Sequence, residues 1–511
     1  MLPEDTMEME RRKRLEDGLK TVPIEKGEIT EIDFVPESFP SDISGIRVQK
    51  LPGHCRIRVH LWPSPESDIR VELYLPLDIW NGNFLGTGNG GWAGSIPLTS
   101  VYMGVNRGFA AANTNMGSDV DPDALIGKTE RWVDFGHRAT HLMTVVSKQL
   151  IRAFYGRREK HSYFVGGSTG GQQALMEAQR YPDDYDGIVA FCPAYNRIRL
   201  HAFLTWTWKA LASDPDLHFS KTEIDAIAKK VIDLYGEKSG SAPGDNFLSY
   251  PGKIERDIEG LAETFRSMGL QPKQVEALKM VYQEVVDPVT GEKFFASMPF
   301  GCENSLLYVS TFRDWFAKLA FVPFLWLRGK DFDITRFDFH RDMAEAIEKM
   351  SPIMDATDPD LSSFKKNGGK LLLISGSMDC LIPYSDTQEY YERVVKRQHG
   401  LANTLSFFRY FHIPGLGHGT GGAGFQEIGA MCGIPGIPLD SEHDALSAMV
   451  EWVENRRAPE RLLPVAFVDG DMTKPMSHDR PVFPYPYETE YVSGDPKDKA
   501  NFRRILSDGG Y

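Results

Sequence analysis

Alternating apolar and polar positions predict paired strands near the start of the chain. Residues 54–76, HCRIRVHLWPSPESDIRVELYLP, alternate with period two on both sides of a Pro/Ser turn. This pattern is typical of a β-hairpin or of two sequential antiparallel strands. Residues 134–155 have helical spacing instead, and the apolar side chains predicted to share one helix face are Leu142, Val145, Val146, Leu150 and Ile151.

A short strand, a tight turn and a helix follow in SYFVGGSTGGQQALMEAQRYP, residues 162–182, and another buried strand in DGIVAFCPA, residues 186–194. A strand–helix–strand succession of this length requires a parallel crossover, which indicates an α/β sheet. Further strand patterns lie at 370–375 and 405–413, and residues 444–457 have the pattern of an amphipathic helix. We therefore expect an α/β fold.

The pattern changes over residues 196–365, where helices alternate with polar connections and an aromatic-rich stretch, DWFAKLAFVPFLWLRG. This segment predicts a large, mainly helical lid domain inserted between two strands of one sheet. Residues 1–195 and 366–511 are then the first and second parts of the core domain. The C-terminal tail, from about residue 465, is rich in Pro, Gly and Tyr, and we expect it to be irregular.

Charge and composition argue against several classes of partner. The 511 residues are 41% hydrophobic and carry a formal net charge of -14, so no overall positive field attracts nucleic acid or anionic lipid. No apolar run approaches the roughly 18 residues of a membrane span, and the N-terminal residues lack the apolar core of a signal peptide. We expect a cytoplasmic protein with no nucleic-acid or membrane partner, and the oligomeric state stays open.

The cysteines predict free thiols rather than a disulfide framework. They are odd in number, scattered, and contain no C-x-x-C pair that would suggest zinc binding or redox exchange. In a large cytoplasmic chain such cysteines stay reduced. The five are Cys55, Cys192, Cys302, Cys380 and Cys432.

The segment Gly166-Gly167-Ser168-Thr169-Gly170 fits the G-x-S-x-G pattern between a strand and a helix. Such a sharp turn holds its central residue in a strained conformation, and only small neighbours leave room for it. The Ser168 hydroxyl then projects from the carboxyl end of the sheet. The next backbone N–H, that of Thr169, lies at the helix N-terminus, where it favours an oxyanion. The alternative is a glycine-rich turn with an incidental serine.

A serine hydroxyl needs a histidine base that is oriented by a carboxylate. In enzymes built on this turn the chain order is serine, acid, histidine. Asp379 follows the buried strand of GGKLLLISGSMDCLIP and is the candidate acid, although a solvent-facing turn would also suit an Asp there. RYFHIPGLGHGTGG offers two histidines. We prefer His418, in a glycine-flanked loop, to His412, which falls within a strand.

A second oxyanion donor is expected from the glycine-rich loop LGTGNGGWAGS, residues 85–95, with Gly90 or a neighbour supplying its backbone N–H. The loop lacks the lysine of a P-loop. His137 and His141 are four residues apart, which is metal-ligand spacing, but the glutamate of H-E-x-x-H and a third ligand are not evident. We therefore expect no metal site and no organic cofactor.

Several motifs in order resemble the tannase and feruloyl esterase family. They include SPESDIRVELYLP, GNGGWAGSI, SYFVGGSTGGQQALMEAQRYPDDYDGIVAFCPA, GSMDCLIPYSDTQEYYERV, GLGHGTGG and RPVFPYP. The resemblance implies an α/β-hydrolase fold with a lid inserted between the strands that carry serine and acid, and cleavage of phenolic acid esters. It maps the catalytic triad onto Ser168, Asp379 and His418.

The chain departs from the family pattern at a cysteine pair. In typical members a disulfide joins the residue before the nucleophile to the residue after the histidine, and these positions are Gly167 and Gly419 here. A further family cysteine is replaced by Phe483. Residues 228–246, AKKVIDLYGEKSGSAPGDN, do not match the family's acidic calcium loop, so the resemblance does not carry calcium over. How His418 is held without a covalent link is left open.

Together these features predict a serine esterase that acts on a small, aromatic ester through an acyl-enzyme. An acyltransferase using the same triad with a non-water acceptor is one alternative, and a non-catalytic ligand-binding protein of the same fold is another. Aromatic lid residues suit stacking against an aromatic substrate, although most of them fit a lid core better than a pocket wall. They are Phe203, Trp206, Trp208, Trp315, Phe316, Phe321, Phe324 and Trp326.

Overall fold

The computed structural model describes residues 3–40, 49–429 and 436–507. Within these ranges the strands are β1 (Gly27–Val35), β2 (His54–Leu61), β3 (Ile69–Pro76), β4 (Phe84–Thr87), β5 (Ala110–Thr114), β6 (Ser162–Gly167), β7 (Gly187–Phe191), β8 (Val285–Val286), β9 (Lys293–Phe295), β10 (Lys370–Gly376), β11 (Phe408–Ile413), β12 (Val465–Phe467), β13 (Met476–Asp479), β14 (Tyr487–Tyr491) and β15 (Phe502–Leu506).

The described helices are α1 (Pro3–Lys20), α2 (Leu98–Asn106), α3 (Thr129–Val133), α4 (Ala139–Tyr155), α5 (Thr169–Arg180), α6 (Arg197–Leu211), α7 (Lys221–Tyr235), α8 (Ile258–Ser267), α9 (Pro272–Val281), α10 (Ser305–Thr311), α11 (Arg313–Arg328), α12 (Arg341–Met354), α13 (Ser362–Lys366), α14 (Tyr384–Arg397), α15 (Leu401–Leu405) and α16 (Ala445–Asn455). Among the described residues, no helix is both long and apolar enough to cross a membrane.

A mixed sheet carries the site. Its nine strands, counted over the described ranges, lie in the order β1-β2-β3-β5-β4-β6-β7-β10-β11. The predicted hairpin is confirmed, because β2 and β3 pair antiparallel from His54↔Pro76 to Leu61↔Ile69. From β5 through β11 the neighbouring strands are parallel, so the strands that precede the candidate serine and acid end at the same edge.

Both faces of this sheet are buried by helices, which explains the continuous apolar runs of its strands. In β10, Leu371 and Leu373 enter one apolar cluster, together with residues of α4 and α5. The alternate residues Leu372 and Ile374 enter a second cluster, with residues of α2 and α16. This alternation follows from the two-residue period of a strand.

The helical segment between β7 and β10 forms most of a further apolar cluster, which also includes Leu125, Trp132 and Phe135 from the first part of the chain. Helix α6 lies centrally in it: Trp208 packs edge-on against Phe321 of α11 at a ring separation of 5.1 Å, and Phe203 lies 5.7 Å from Phe295. Arg197 of α6 contacts Thr169, and residues of α10 and α11 line a cavity with Ser168. These three helices therefore lie over the carboxyl end of the parallel strands.

Two sequence predictions need correction in the core helix. Asp134–Arg138 forms a π-helical turn, and α4 begins only at Ala139. In that turn the buried Asp134 accepts a hydrogen bond of 2.5 Å from Arg138 Nε. Val145, predicted on the apolar face of α4, is 36% exposed. The buried face of the helix is narrower than the predicted apolar face, and Val145 lies outside it.

The prediction of an irregular C-terminal tail is wrong. Strands β12 and β13 pair antiparallel, and so do β14 and β15. The buried Arg480 anchors this tail, since it donates to Asp245 at 2.7 Å and lies 4.4 Å from the centre of the Phe502 ring. The Pro and Gly residues of the tail lie between short strands, and the local composition does not indicate these strands.

Candidate active site

Ser168 lies at a sharp turn between β6 and α5. Its backbone angles, φ 60° and ψ -119°, are strained for a residue with a side chain. Ser168 N–H donates to the Phe191 carbonyl at 3.1 Å, and Ala194 N–H donates to the Ser168 carbonyl at 2.9 Å. A Cβ on Gly166 would lie 2.4 Å from the Gly170 carbonyl oxygen, so the flanking glycines are required by the packing of this turn.

Asp379 and His418 form a hydrogen-bonded pair. Asp379 is fully buried, and its Oδ2 accepts a hydrogen bond from His418 Nδ1 at 2.8 Å. Its Oδ1 accepts hydrogen bonds from the backbone N–H groups of Leu381 and Ile382, both at 2.9 Å. The His418 side chain is 27% exposed. Because Nδ1 faces the carboxylate, Nε2 is left as the basic nitrogen.

The ionisation of His418 reflects opposing effects. Burial lowers the pKa of its imidazole, but the charge of Asp379, the neighbouring Cys192 and hydrogen bonding to both outweigh burial and raise the pKa well above its ordinary value. His412, the rejected alternative, lies within β11 and bonds through Nε2 to the Ser249 carbonyl at 3.0 Å. Its side chain is buried there, away from Ser168.

Backbone hydrogen bonds close the loop that carries His418. Gly417 N–H donates to the Gly421 carbonyl at 2.9 Å, and Gly421 N–H donates to the Gln426 carbonyl at 2.8 Å. Gly419, at the position of the family cysteine, has φ 73°, a left-handed conformation that favours glycine. These contacts describe how His418 is placed without a disulfide.

Ser168 and His418 line one cavity of about 630 Å³. No hydrogen bond joins Ser168 Oγ to the imidazole in the described part of the chain, and catalytic hydrogen bonds are often loose before substrate binds. The wall above them is aromatic and apolar, and it includes Tyr308, Trp315, Leu319 and Leu381. Of the eight aromatic residues singled out in the lid, Trp315 lines this cavity, whereas Phe203, Phe316, Phe321, Phe324 and Trp326 are core residues.

The two candidate oxyanion donors are the residue after the serine and a residue of the loop that lines the same cavity. Thr169 begins α5, and Gly90 lines the cavity from the glycine-rich loop. The loop and the helix are joined directly: Thr169 Oγ1 donates to the Gly91 carbonyl at 2.6 Å, and Gly170 N–H donates to the Asn89 carbonyl at 2.7 Å. Both backbone segments are thereby held beside Ser168.

Arg197 is a site residue that sequence reasoning missed. This buried guanidinium donates to Thr169 Oγ1 at 2.8 Å, to Gln172 Oε1 at 3.3 Å and to the Gly91 carbonyl at 2.9 Å. Burial lowers its pKa to about 10, against the opposing charge of Asp355, so it stays cationic. Arg197 thus links the glycine-rich loop to the helix that follows Ser168. No sequence motif indicated this role.

Cys192 is a second residue whose placement was not foreseen. It follows β7 with φ 33°, a strained value for a residue with a side chain. The ligand atoms of Cys192, Asp379 and His418 lie within 4.8 Å of one another. The described cysteines, Cys55, Cys192, Cys302 and Cys380, are all unpaired, and Cys432 lies outside the described residues.

The two histidines with metal-ligand spacing have different partners. His137 Nδ1 lies 2.7 Å from the Tyr181 hydroxyl, and His141 Nδ1 lies 2.6 Å from Asp184 Oδ2. His141 nevertheless has further potential ligands that its sequence neighbours did not suggest, because Glu177 and Asp184 offer oxygens within 4.8 Å. Among the described residues, His137 is not a member of this cluster.

A family model described as tannase and feruloyl esterase matches residues 55–319 and 320–505. The chain belongs to the tannase and feruloyl esterase family. As a member, it is a carboxylic ester hydrolase. An uncharacterized esterase of Xanthomonas campestris pv. campestris is 31% identical, with 94% of this chain and 89% of the relative aligned.

Two further members support this assignment. Feruloyl esterase B of Aspergillus niger is 31% identical, with 80% of this chain and 78% of the relative aligned. The crystal structure of feruloyl esterase B from Aspergillus oryzae superposes with a TM-score of 0.84 and 25% identity, covering 96% of this chain and all of that chain. The likeness confirms the expected α/β-hydrolase fold of this family member.

Proposed function

We propose that this esterase hydrolyses a small aromatic ester through an acyl-enzyme on Ser168. The observation that carries the proposal is that the strained Ser168 shares one cavity with the imidazole of the His418–Asp379 pair. A strained serine between strand and helix, a histidine base and a buried carboxylate are the parts that nucleophilic acyl transfer needs.

In the first half-reaction, Ser168 Oγ bonds to the ester carbonyl carbon while His418 takes the hydroxyl proton. The charged oxygen of the tetrahedral intermediate receives hydrogen bonds from the N–H groups of Thr169 and the Gly90 region. Collapse of the intermediate breaks the ester C–O bond, and His418 passes its proton to the leaving alcohol.

In the second half-reaction, water attacks the acyl carbon as His418 takes a proton from it. The second tetrahedral intermediate collapses by breaking the bond to Ser168 Oγ, which recovers its proton from His418. The acid product leaves, and the enzyme is restored. Asp379 remains a carboxylate throughout and stabilises the imidazolium, so the cycle needs no metal or organic cofactor.

The aromatic character of the substrate is proposed from the cavity wall. Tyr308 and Trp315 lie edge-to-face at 5.9 Å, and Phe312 lies 5.3 Å from Tyr308. Trp315 is 40% exposed and Phe312 is 53% exposed, although such large rings are usually buried more fully. Tyr308 and Trp315 line the cavity with Ser168, so an aromatic group in the ester would pack against them, with Phe312 next to Tyr308.

The proposal is tested with matched esters that differ only in an aromatic or an aliphatic acyl group. Wild type is expected to have a higher kcat/KM for the aromatic member, by about two- to tenfold, since an aromatic pair is worth roughly 0.5–1.5 kcal/mol. Equal values for both members would contradict the aromatic assignment. Product analysis with added alcohol as acceptor distinguishes hydrolysis from acyl transfer: hydrolysis predicts free acid as the main product.

A further inference from the structure

We propose that Cys192, Asp379 and His418 form an inhibitory binding site for a thiophilic divalent cation such as zinc. The proposal rests on the proposed function, because two of the three ligands are the acid and the base of the triad. It adds a mode of regulation that the esterase mechanism does not require.

The donor set matches zinc chemistry. A cysteine sulfur, a ring nitrogen of histidine and a carboxylate oxygen are the ligand types found in protein zinc sites. Their ligand atoms lie within 4.8 Å of one another, whereas tetrahedral coordination separates donors by roughly 3.2–3.8 Å. His418 Nδ1 and Asp379 Oδ2 are already 2.8 Å apart, so an ion would replace their hydrogen bond and separate these two atoms slightly. The Cys192 sulfur would move toward them by up to about 1 Å.

The charges also balance. When Cys192 binds a metal its thiol proton is released to solvent, so a thiolate and the Asp379 carboxylate together supply two negative charges to a dication. Cys192 and Asp379 are already buried in the folded protein, so binding an ion removes little further water from these two side chains. Such a pair of anions compensates a buried divalent ion better than neutral ligands would.

The site is reached from the substrate cavity. The His418 side chain is partly exposed and lines that cavity with Ser168, so an ion can approach the imidazole without unfolding of the core. A water in the cavity would complete four coordination. Coordination occupies a lone pair of His418 and disturbs its hydrogen bond to Asp379, and the imidazole can then no longer take the Ser168 proton.

The experiment compares inhibition by zinc chloride in wild type and in Cys192→Ser, each relative to its own zinc-free rate. Wild type is expected to be inhibited and to recover on addition of a chelator. Cys192→Ser should need at least about ten times more zinc for the same fractional inhibition. Cys380→Ser is the matched thiol control, and His141→Ala tests the other cluster of ligands. Both should be inhibited like wild type.

A second readout does not depend on activity. Cobalt chloride added to Ser168→Ala should give a thiolate-to-cobalt charge-transfer band, and Ser168→Ala/Cys192→Ser should lack it while retaining a native circular dichroism spectrum. An active wild type that gives neither zinc inhibition nor the band overturns the metal site and leaves the esterase proposal intact. The band without esterase activity would overturn the proposed function instead.

Discussion

Arg197 donates a hydrogen bond of 2.9 Å to the carbonyl oxygen of Gly91. The same guanidinium donates to Thr169 Oγ1 at 2.8 Å, so one side chain holds both segments that flank the proposed oxyanion. A planar guanidinium can make these bonds together, whereas an ammonium group cannot reproduce their geometry. Arg197 therefore acts as a positioning residue, through the backbone rather than through substrate.

Arg197→Met is expected to lower kcat by about 10- to 100-fold, below the roughly 100- to 1,000-fold of losing an oxyanion donor outright. KM should change little, because the oxyanion forms after substrate binds. Arg197→Lys should recover part of kcat. Steady-state kinetics measure both effects. Arg199→Met is the matched control on the same helix, since Arg199 pairs with Glu292 at the lid surface. Equal loss of kcat in both variants would contradict the assignment.

The pH dependence of activity follows from His418. Its pKa is raised well above the ordinary 6.5, because the effects of Asp379 and Cys192 outweigh burial. Since the neutral imidazole is the base, kcat/KM should rise with pH, with a midpoint above 6.5. Asp379→Asn removes the negative charge that raises the His418 pKa and leaves burial, which lowers that pKa.

NMR titration of the His418 ring should therefore give a lower pKa in Ser168→Ala/Asp379→Asn than in Ser168→Ala. The kcat of Asp379→Asn alone should fall by about 10³- to 10⁴-fold, because the imidazole loses its orientation and the imidazolium loses its counter-charge. A ring pKa that is unchanged by Asp379→Asn would show that the pair does not control the base.

Trp315 is expected to favour aromatic substrates. Trp315→Ala should raise KM for an aromatic ester by about two- to tenfold, which corresponds to the 0.5–1.5 kcal/mol of an aromatic pair, and should affect the matched aliphatic ester less. The comparison is the ratio of kcat/KM for the two esters. Trp62→Ala is the control, since Trp62 is also exposed but packs on His60 in the sheet. If Trp315→Ala leaves the ratio of kcat/KM for the two esters unchanged, the aromatic group of the substrate does not bind against Trp315.

Glu177 should make stability depend on pH. It is fully buried, and its carboxylate oxygens have no hydrogen-bond partner among the described residues. Burial, together with the charge of Asp184, raises its pKa well above the ordinary value of 4.5. The folded chain then binds the proton more tightly than the unfolded chain, so this contribution to stability is complete below pH 4.5 and is lost as pH rises through the raised pKa.

Glu177→Gln removes that titration and should increase Tm relative to wild type at pH 8, by on the order of 2 °C. The difference between the two proteins should shrink toward pH 5. Thermal unfolding monitored by circular dichroism measures it, with the exposed Glu255→Gln as control. If wild type is the more stable protein at pH 8, nearby positive charge stabilises the Glu177 carboxylate and burial does not destabilise it.

The prediction of five free thiols can be checked directly. Titration of unfolded protein under non-reducing conditions should find five reactive thiols, including Cys192 and Cys432. A count of three would indicate a disulfide. The cytoplasmic location stays a prediction, and fractionation of the source cells would test it separately.

The sequence predicted the parts of the fold that are encoded locally. The strand–turn–helix around Ser168 is readable because glycine, β-branched and aromatic residues lie within a few positions of one another. Chain order and the resemblance to the family then pointed to Asp379 and His418, which the structure brings together. The tail strands β12–β15 were missed because their pairing and their anchor, Arg480, depend on distant partners such as Asp245.

Arg197 and Cys192 could not be predicted for a related reason. Each has an unremarkable sequence context, and each matters because of residues far along the chain: Gly91 for the arginine, Asp379 and His418 for the cysteine. Local patterns show which residues have the chemistry, but tertiary packing decides which of them share a site.

The role of Ser168 as nucleophile is tested most directly by the rate of ester hydrolysis by Ser168→Ala. If Ser168 is the nucleophile, kcat should fall by at least about 10³-fold, with thermal unfolding unchanged. Ser100→Ala, which removes another hydroxyl that lines the same cavity, should keep most of the activity. A folded Ser168→Ala that hydrolyses the ester as fast as wild type would contradict the central claim that Ser168 is the nucleophile.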